Sequence, residues 1–162
     1  MTGGADGDGG VGLFASSTTA PSTVDARELL IDVMPYSAAW FQGDVFVTPL
    51  DSVLSGGSGV ELRPDLVLHG NGVFAADRAV AVLDGVQIAN ARIGVLAEDA
   101  AVELRGVTFA GDALDIQIQS CRVDEVPTTP EGATARVCPD EAVPTLRLAY
   151  DLGFSDLVGE SE

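Results

Sequence analysis

Apolar and polar positions recur along the middle of the chain with a fixed spacing. Gly85-Val86-Gln87-Ile88-Ala89 returns 21 residues later as Gly106-Val107-Thr108-Phe109-Ala110, and Ile93-Gly94-Val95 returns at the same offset as Leu114-Asp115-Ile116. Upstream, Leu66-Val67-Leu68-His69 and Val73-Phe74-Ala75 precede Val86-Gln87-Ile88-Ala89 and Ile93-Gly94-Val95 by 20 residues. A third set, Val60-Glu61-Leu62-Arg63, Ala81-Val82-Leu83-Asp84 and Val102-Glu103-Leu104-Arg105, is spaced by 21. Each period therefore holds three short apolar segments. Most alternate with period two, as strands with one buried face do. Gly, Asn, Asp and Arg separate them and suit turns.

Three strands per period close into a coil of triangular section, with successive coils about 4.8 Å apart and equivalent strands paired in parallel. Inward residues then stack in columns, expected to be Leu62-Leu83-Leu104, Leu68-Ile88-Phe109 and Val73-Ile93-Leu114. The pattern predicts an all-β, right-handed parallel β-helix of about four coils of 20–21 residues over 11–119. The right hand follows from the rule for parallel crossovers. No segment sustains helical periodicity, and Val24 to Met34 stops at Pro35. Nearer the N-terminus, Val11-Gly12-Leu13-Phe14-Ala15 matches Ile93-Gly94-Val95-Leu96-Ala97, and Leu30-Ile31-Asp32-Val33 matches Leu83-Asp84-Gly85-Val86. The wider spacing there implies insertions, expected at Ser17 to Ala26, Pro35 to Gln42 and Thr48 to Gly59. Solenoid insertions fall at corners, often on a binding face.

The period breaks at Ser120. Residues 120–162 are expected to form an irregular C-terminal cap over the open end. Cys121 and Cys138 bracket a Pro-rich stretch there. Two cysteines at this spacing cannot complete a zinc site, so a disulfide is the simpler expectation. It would contribute ~3 kcal/mol in the chain-entropy model and imply an oxidising compartment. The alternative is two reduced thiols packed as small apolar residues. Residues 1–10 read as a flexible segment of small and acidic residues. Without an evident cap before Val11, further coils are expected to precede this chain in a longer protein.

The Leu-x-Gly-Val-x-φ-x-x-x-x-φ-x-φ pattern (φ apolar) at 83–95 and 104–116 resembles the right-handed β-helix repeat proteins of pectin-lyase-like fold, in particular large secreted bacterial repeat proteins of unassigned role. Their last coil often runs into a Cys-containing tail, here the run from Ala113 to Cys121. The resemblance implies the fold. It chooses no function, because the fold hosts lyases, hydrolases, adhesins and spacers.

Composition narrows the partners. Of 162 residues, 46% are apolar but only 6% aromatic, so aliphatic side chains build the core. The 25 acidic residues outnumber the 8 basic ones, all Arg, and leave a net charge of -17. Such a surface repels nucleic-acid phosphates and anionic membrane faces. No apolar run is long enough to span a bilayer, and the first thirty residues carry no signal-peptide pattern.

Candidate chemistry is sparse. Tyr36, Trp40 and Phe41 fall together in one expected insertion, where clustered aromatics suit sugar or protein. Glu98, Asp99, Asp112 and Asp115 are expected near one edge, as a solvated rim or at most a weak calcium site. Arg63, Asp84 and Arg105 are expected as a charge ladder on successive coils. His69 is the one His, so no His-based metal site exists, and no other cofactor is implied. The expectation is a non-enzymatic extracellular or cell-surface module, structural or adhesive, that binds glycan or a surface protein. The alternative is a fragment of a β-helical polysaccharide lyase or glycoside hydrolase.

Overall fold

A computed structural model describes residues 11–32, 34, 37–57, 60–63, 66–68, 70–119 and 132–137. The side chains of 60–63 and 66–68 lie outside that description, as do Tyr36, His69, Cys121, Cys138, the acidic start and most of the expected cap. Among the described residues fourteen strands occur in the order β1 Val11–Arg27, β2 Leu30–Ile31, β3 Ser37–Leu50, β4 Val53–Ser55, β5 Val60–Arg63, β6 Leu66–Leu68, β7 Asn71–Ala76, β8 Val80–Asp84, β9 Gln87–Ala89, β10 Ile93–Glu98, β11 Ala101–Arg105, β12 Thr108–Ala110, β13 Ile116–Gln119 and β14 Ala135–Val137. No helix occurs among the described residues.

The strands wind into a parallel β-solenoid of about four turns. Its first face stacks the opening halves of β1 and β3, then β7, β10, β13 and β14. The second stacks the closing halves of β1 and β3, then β8 and β11. The third stacks β2, β4, β9 and β12. β1 and β3 are long because each continues as strand through the first corner, where the register of β1 on β3 shifts between Ser17 and Ser22.

The three expected columns hold in their downstream halves, Ile93 lying level with Leu114 because Val95 pairs with Ile116. Leu83 pairs with Leu104 and Ile88 with Phe109. The match of Val11 to Ile93 also holds, through Ser37 and Asn71. Upstream the register differs. Ile88 stacks on Leu54 and Leu54 on Ile31, not on Leu68. β8 stacks on β3 through Phe46↔Val80 and Val47↔Ala81, not on Leu62. On the first face Val73 stacks on Val95 and not on Ile93, giving the column Ala39-Val73-Val95-Ile116. Leu30 falls level with Val53 and so with Gln87, four residues from the expected match to Leu83.

The physical reason is an excursion from the coil. β5 and β6 pair with each other, antiparallel, and carry Leu62, Arg63 and Leu68 out of the ladders. Ser37 pairs with Asn71, 34 residues on, whereas Asn71 pairs with Ile93 after 22. The expected insertions at 17–26 and 37–42 are instead strand, within β1 and β3, as is most of 48–55. Within the expected 17–26 insertion, the four residues Thr18 to Pro21 stand against Asp44 alone, so β1 carries three extra residues there.

The corners turn on residues in the left-handed region. Gly43, Asp77, Arg78 and Asp99 occupy it at the first corner, Glu28, Asp51, Gly85 and Gly106 at the second, and Asn90 and Gly111 at the third. Asp and Asn tolerate this conformation better than other side chains. Backbone bonds tie each corner to the next coil, as in Asp51 N to Asp84 O (3.0 Å) and Gly85 N to Arg105 O (2.9 Å).

Inside, one cluster joins all three faces through Ala39, Phe41, Val73, Val47, Ala81, Leu83, Ile31, Leu54 and Ile88. A second cluster, Trp40, Phe74, Ala76, Ile93 and Leu96, lies on the first face alone. Neighbours in a strand point to opposite sides, so the inward Phe41 and Val73 set Trp40 and Phe74 outward.

Candidate functional site

Among the described residues, the first corner holds a polar cleft to which four successive coils contribute. It has a volume of about 380 Å³ and is lined by Ser17, Thr18, Gln42, Gly43, Asp77, Arg78 and Asp99. Each coil supplies equivalent corner residues: Ser17 and Thr18 from the first, Gln42 and Gly43 from the second, Asp77 and Arg78 from the third, Asp99 from the fourth. The parallel register makes this a continuous groove. Four coils at about 4.8 Å give a run of ~14 Å along the solenoid axis. Backbone bonds from Asp77 N to Glu98 O (3.2 Å) and Arg78 N to Asp99 O (2.6 Å) hold the third and fourth corners together.

The polar groups of the cleft are partly engaged with one another. Gln42, only 2% exposed, donates from Nε2 to Asp77 Oδ2 at 2.8 Å. Its Oε1 is buried without a hydrogen-bond partner. Arg78 Nη2 pairs with Asp44 Oδ2 at 3.0 Å. That pairing engages the one cation of the lining, which also carries the Asp77 and Asp99 carboxylates. Acceptor oxygens dominate, so the lining suits a ligand rich in hydroxyl or other donor groups.

The expected aromatic platform is not there. Trp40 and Phe41 are strand residues of β3, 1% and 0% exposed. Phe41 fills the interior and Trp40 packs edge-on against Phe74 with ring centroids 4.9 Å apart. Neither lies in a loop, because pairing of β3 with β1 and β7 runs straight through them. Tyr36 lies outside the described residues.

The four acids are not brought together either. Asp115 lies level with Gly94, since Ile116 pairs with Val95. Glu98 is four residues further along the strand, about 13 Å away. Among the described residues no three His, Cys, Asp or Glu side chains gather as a metal site. Asp99 belongs to the cleft. Asp112 Oδ1 accepts from Ala91 N at 2.7 Å, bracing the third corner. Burial is the main cause that raises the Asp112 pKa, with the nearby Asp115 charge adding to it. Asp115 Oδ2 accepts from Thr134 N (2.7 Å) and Oγ1 (3.0 Å), tying the fourth coil to the rung of β14.

Of the expected charge ladder, Asp84 and Arg105 pair in register. Arg105 Nε bonds Glu103 Oε1 at 2.8 Å on an exposed surface, which raises its pKa. Arg63 leaves the ladder with β5.

The cleft residues Ser17, Thr18, Gln42, Gly43, Asp77 and Arg78 were not singled out by sequence. The available signal was the Asp77-Arg78 pair after an apolar run, at the corner position that Asp99 fills one coil later.

Fold and cleft together define the class: a parallel β-solenoid with a polar groove along one edge. No protein-family model matches the chain, nor does any curated protein or solved structure.

Proposed function

We propose that this protein is a non-enzymatic β-solenoid module, secreted or surface-attached, that binds a linear carbohydrate along the first-corner cleft. One observation carries this reading. Four successive coils each contribute hydrogen-bonding groups to a single groove of about 380 Å³, within the size range of small-ligand sites. An extended oligosaccharide lying parallel to the solenoid axis meets an equivalent corner at every coil. The net charge of -17 favours neutral over acidic glycans. The resemblance to secreted β-helix repeat proteins, and a Cys121–Cys138 disulfide as the expected mark of an oxidising compartment, support an extracellular setting.

A second reading rests on Asp77 and Asp99, which line the groove one coil apart. Two carboxylates facing one ligand are what a glycoside hydrolase requires. A polysaccharide-degrading fragment is therefore the alternative.

Titration calorimetry against neutral and acidic oligosaccharides tests both. Asp77→Asn with Asp99→Asn keeps residues that tolerate the left-handed backbone. It is expected to weaken binding of a neutral oligosaccharide at least tenfold while far-UV circular dichroism stays unchanged. Equal affinity in the variant overturns the cleft as the site. Release of new reducing ends by the wild type moves the protein to the hydrolase reading, and unsaturated ends move it to the lyase reading.

A further inference from the structure

Four large apolar side chains among the described residues are more than a third exposed: Phe14, Leu30, Phe46 and Val80. Phe14 and Leu30 belong to the first coil. Phe46, 43% exposed, and Val80, 37% exposed, lie further along the stack and are register partners on β3 and β8. Their chain neighbours Val45, Val47, Ala79 and Ala81 are buried, so alternation sets Phe46 and Val80 outward on the second face. Thr23 continues this column before Phe46 and Ala101 after Val80, both exposed. The column therefore crosses the same four coils as the cleft.

It also borders the cleft. Phe46 stands two residues beyond Asp44, which holds the Arg78 of the lining, and Val80 stands two beyond Arg78 itself. Two strand residues span about 7 Å, close to the breadth of one sugar ring. An isolated exposed apolar residue needs no explanation. A register pair beside a groove of acceptor oxygens is different, because it makes one surface with an apolar and a polar side.

A pyranose has the matching halves, C–H bonds on its faces and hydroxyl donors round its edge. A peptide strand does not fit here. β3 pairs with β1 and β8, and β8 pairs in turn with β11, so neither offers a free edge at this column. Both faces of a sugar ring are apolar only where its hydroxyls and linkages are equatorial, and β-1,4-linked chains of such rings run as flat ribbons. One unit of the ribbon is close in length to the rung spacing of about 4.8 Å, so successive units meet successive coils.

We propose that the cleft and the Phe46-Val80 pair together bind a flat, β-1,4-linked neutral glycan, its hydroxyl edge in the cleft and a ring face on Phe46. Phe46 then selects the linkage class of the carbohydrate read for the cleft above, on which this assignment rests.

Calorimetry with cellotetraose and maltotetraose, the β-1,4- and α-1,4-linked glucose tetramers, tests it. The wild type is expected to bind cellotetraose at least tenfold more tightly. Phe46→Thr installs the residue that Thr23 already supplies to this column. It should lower cellotetraose affinity at least tenfold and remove the linkage preference, with far-UV circular dichroism unchanged. Phe46→Trp should keep the affinity, and the emission that it adds to that of Trp40 should shift blue when cellotetraose is added. Unchanged affinity in Phe46→Thr overturns the proposal, and the cleft reading then stands alone if Asp77→Asn with Asp99→Asn still weakens binding. Equal wild-type affinity for the two tetramers overturns the proposal as well. So does a wild type that binds neither, and the cleft reading survives that result only through another neutral oligosaccharide whose binding the aspartate variant loses.

Discussion

At the scale of single residues, packing leaves no room for a side chain where the third corner turns into the first face. A Cβ on Gly94 would sit 2.6 Å from Asp115 O and 2.9 Å from the Phe109 ring. The obstacle is backbone of the next coil, which cannot yield as a flexible side chain would. Gly94→Ala is expected to cost ~1–3 kcal/mol by overpacking, read from the urea midpoint; a change near zero means that the coils are further apart here. Asp112 offers a second test. Burial raises its folded pKa above the unfolded value, so the folded state holds the proton more tightly. Its contribution is favourable below the unfolded pKa and is lost as pH rises through the folded pKa. Asp112→Asn keeps an oxygen for Ala91 N and removes the charge. It should leave stability at neutral pH equal or higher and flatten the pH dependence on the acid side of neutrality. A marked loss at neutral pH contradicts this. Residue scale is also where the sequence misled. Adjacent aromatics such as Trp40 and Phe41 break the in–out alternation expected of a half-exposed strand, so they read as a loop. They are strand because the pairing of β3 with β1 and β7 runs through them, and both side chains are buried.

At the scale of elements, legibility tracked the spacing. Between Val80 and Gln119 the coils repeat at 21 residues without insertion, and the columns Leu83-Leu104 and Ile88-Phe109 were readable. Upstream the spacing changes to 34 across the hairpin and to 26 between Val11 and Ser37. An apolar match at a wrong offset then competes with the true one. Leu62 and Leu68 mimic coil positions because their hairpin also alternates with period two. β1 was obscured because Ser16-Ser17-Thr18-Thr19 and Pro21-Ser22-Thr23 carry almost no apolar signal, though Ser16, Ser17, Ser22 and Thr23 pair with β3 on either side of the register shift. The cleft was illegible for a related reason: its residues come from four different coils and converge only once the register is known. Because, among the described residues, β5 and β6 pair only with each other, replacing 58–69 with a short turn should leave cooperative unfolding intact and shift stability by less than about 1 kcal/mol. Loss of cooperativity would show that the hairpin holds the second and third coils together.

At the scale of the molecule, stacked coils and a net charge of -17 oppose each other. Stacking brings equivalent positions within about 4.8 Å, so like charges on one face repel along the axis. Screening relieves this. The melting temperature is expected to rise by several degrees from low to high sodium chloride; a fall would mean that ion pairs such as Arg78–Asp44 outweigh the repulsion. The rigid stack is also what aligns the corner residues into one groove, so the proposed function depends on register. Hydrogen-bond scalar couplings in the labelled protein measure that register most directly. Stacked parallel coils predict couplings from Thr108 N to the Val86 carbonyl and from Ala101 N to the Ala79 carbonyl, the bonds of 3.0 and 2.9 Å between the third and fourth coils. Couplings that instead join these amides to neighbours in antiparallel order, or at another offset, would contradict the solenoid and the cleft with it.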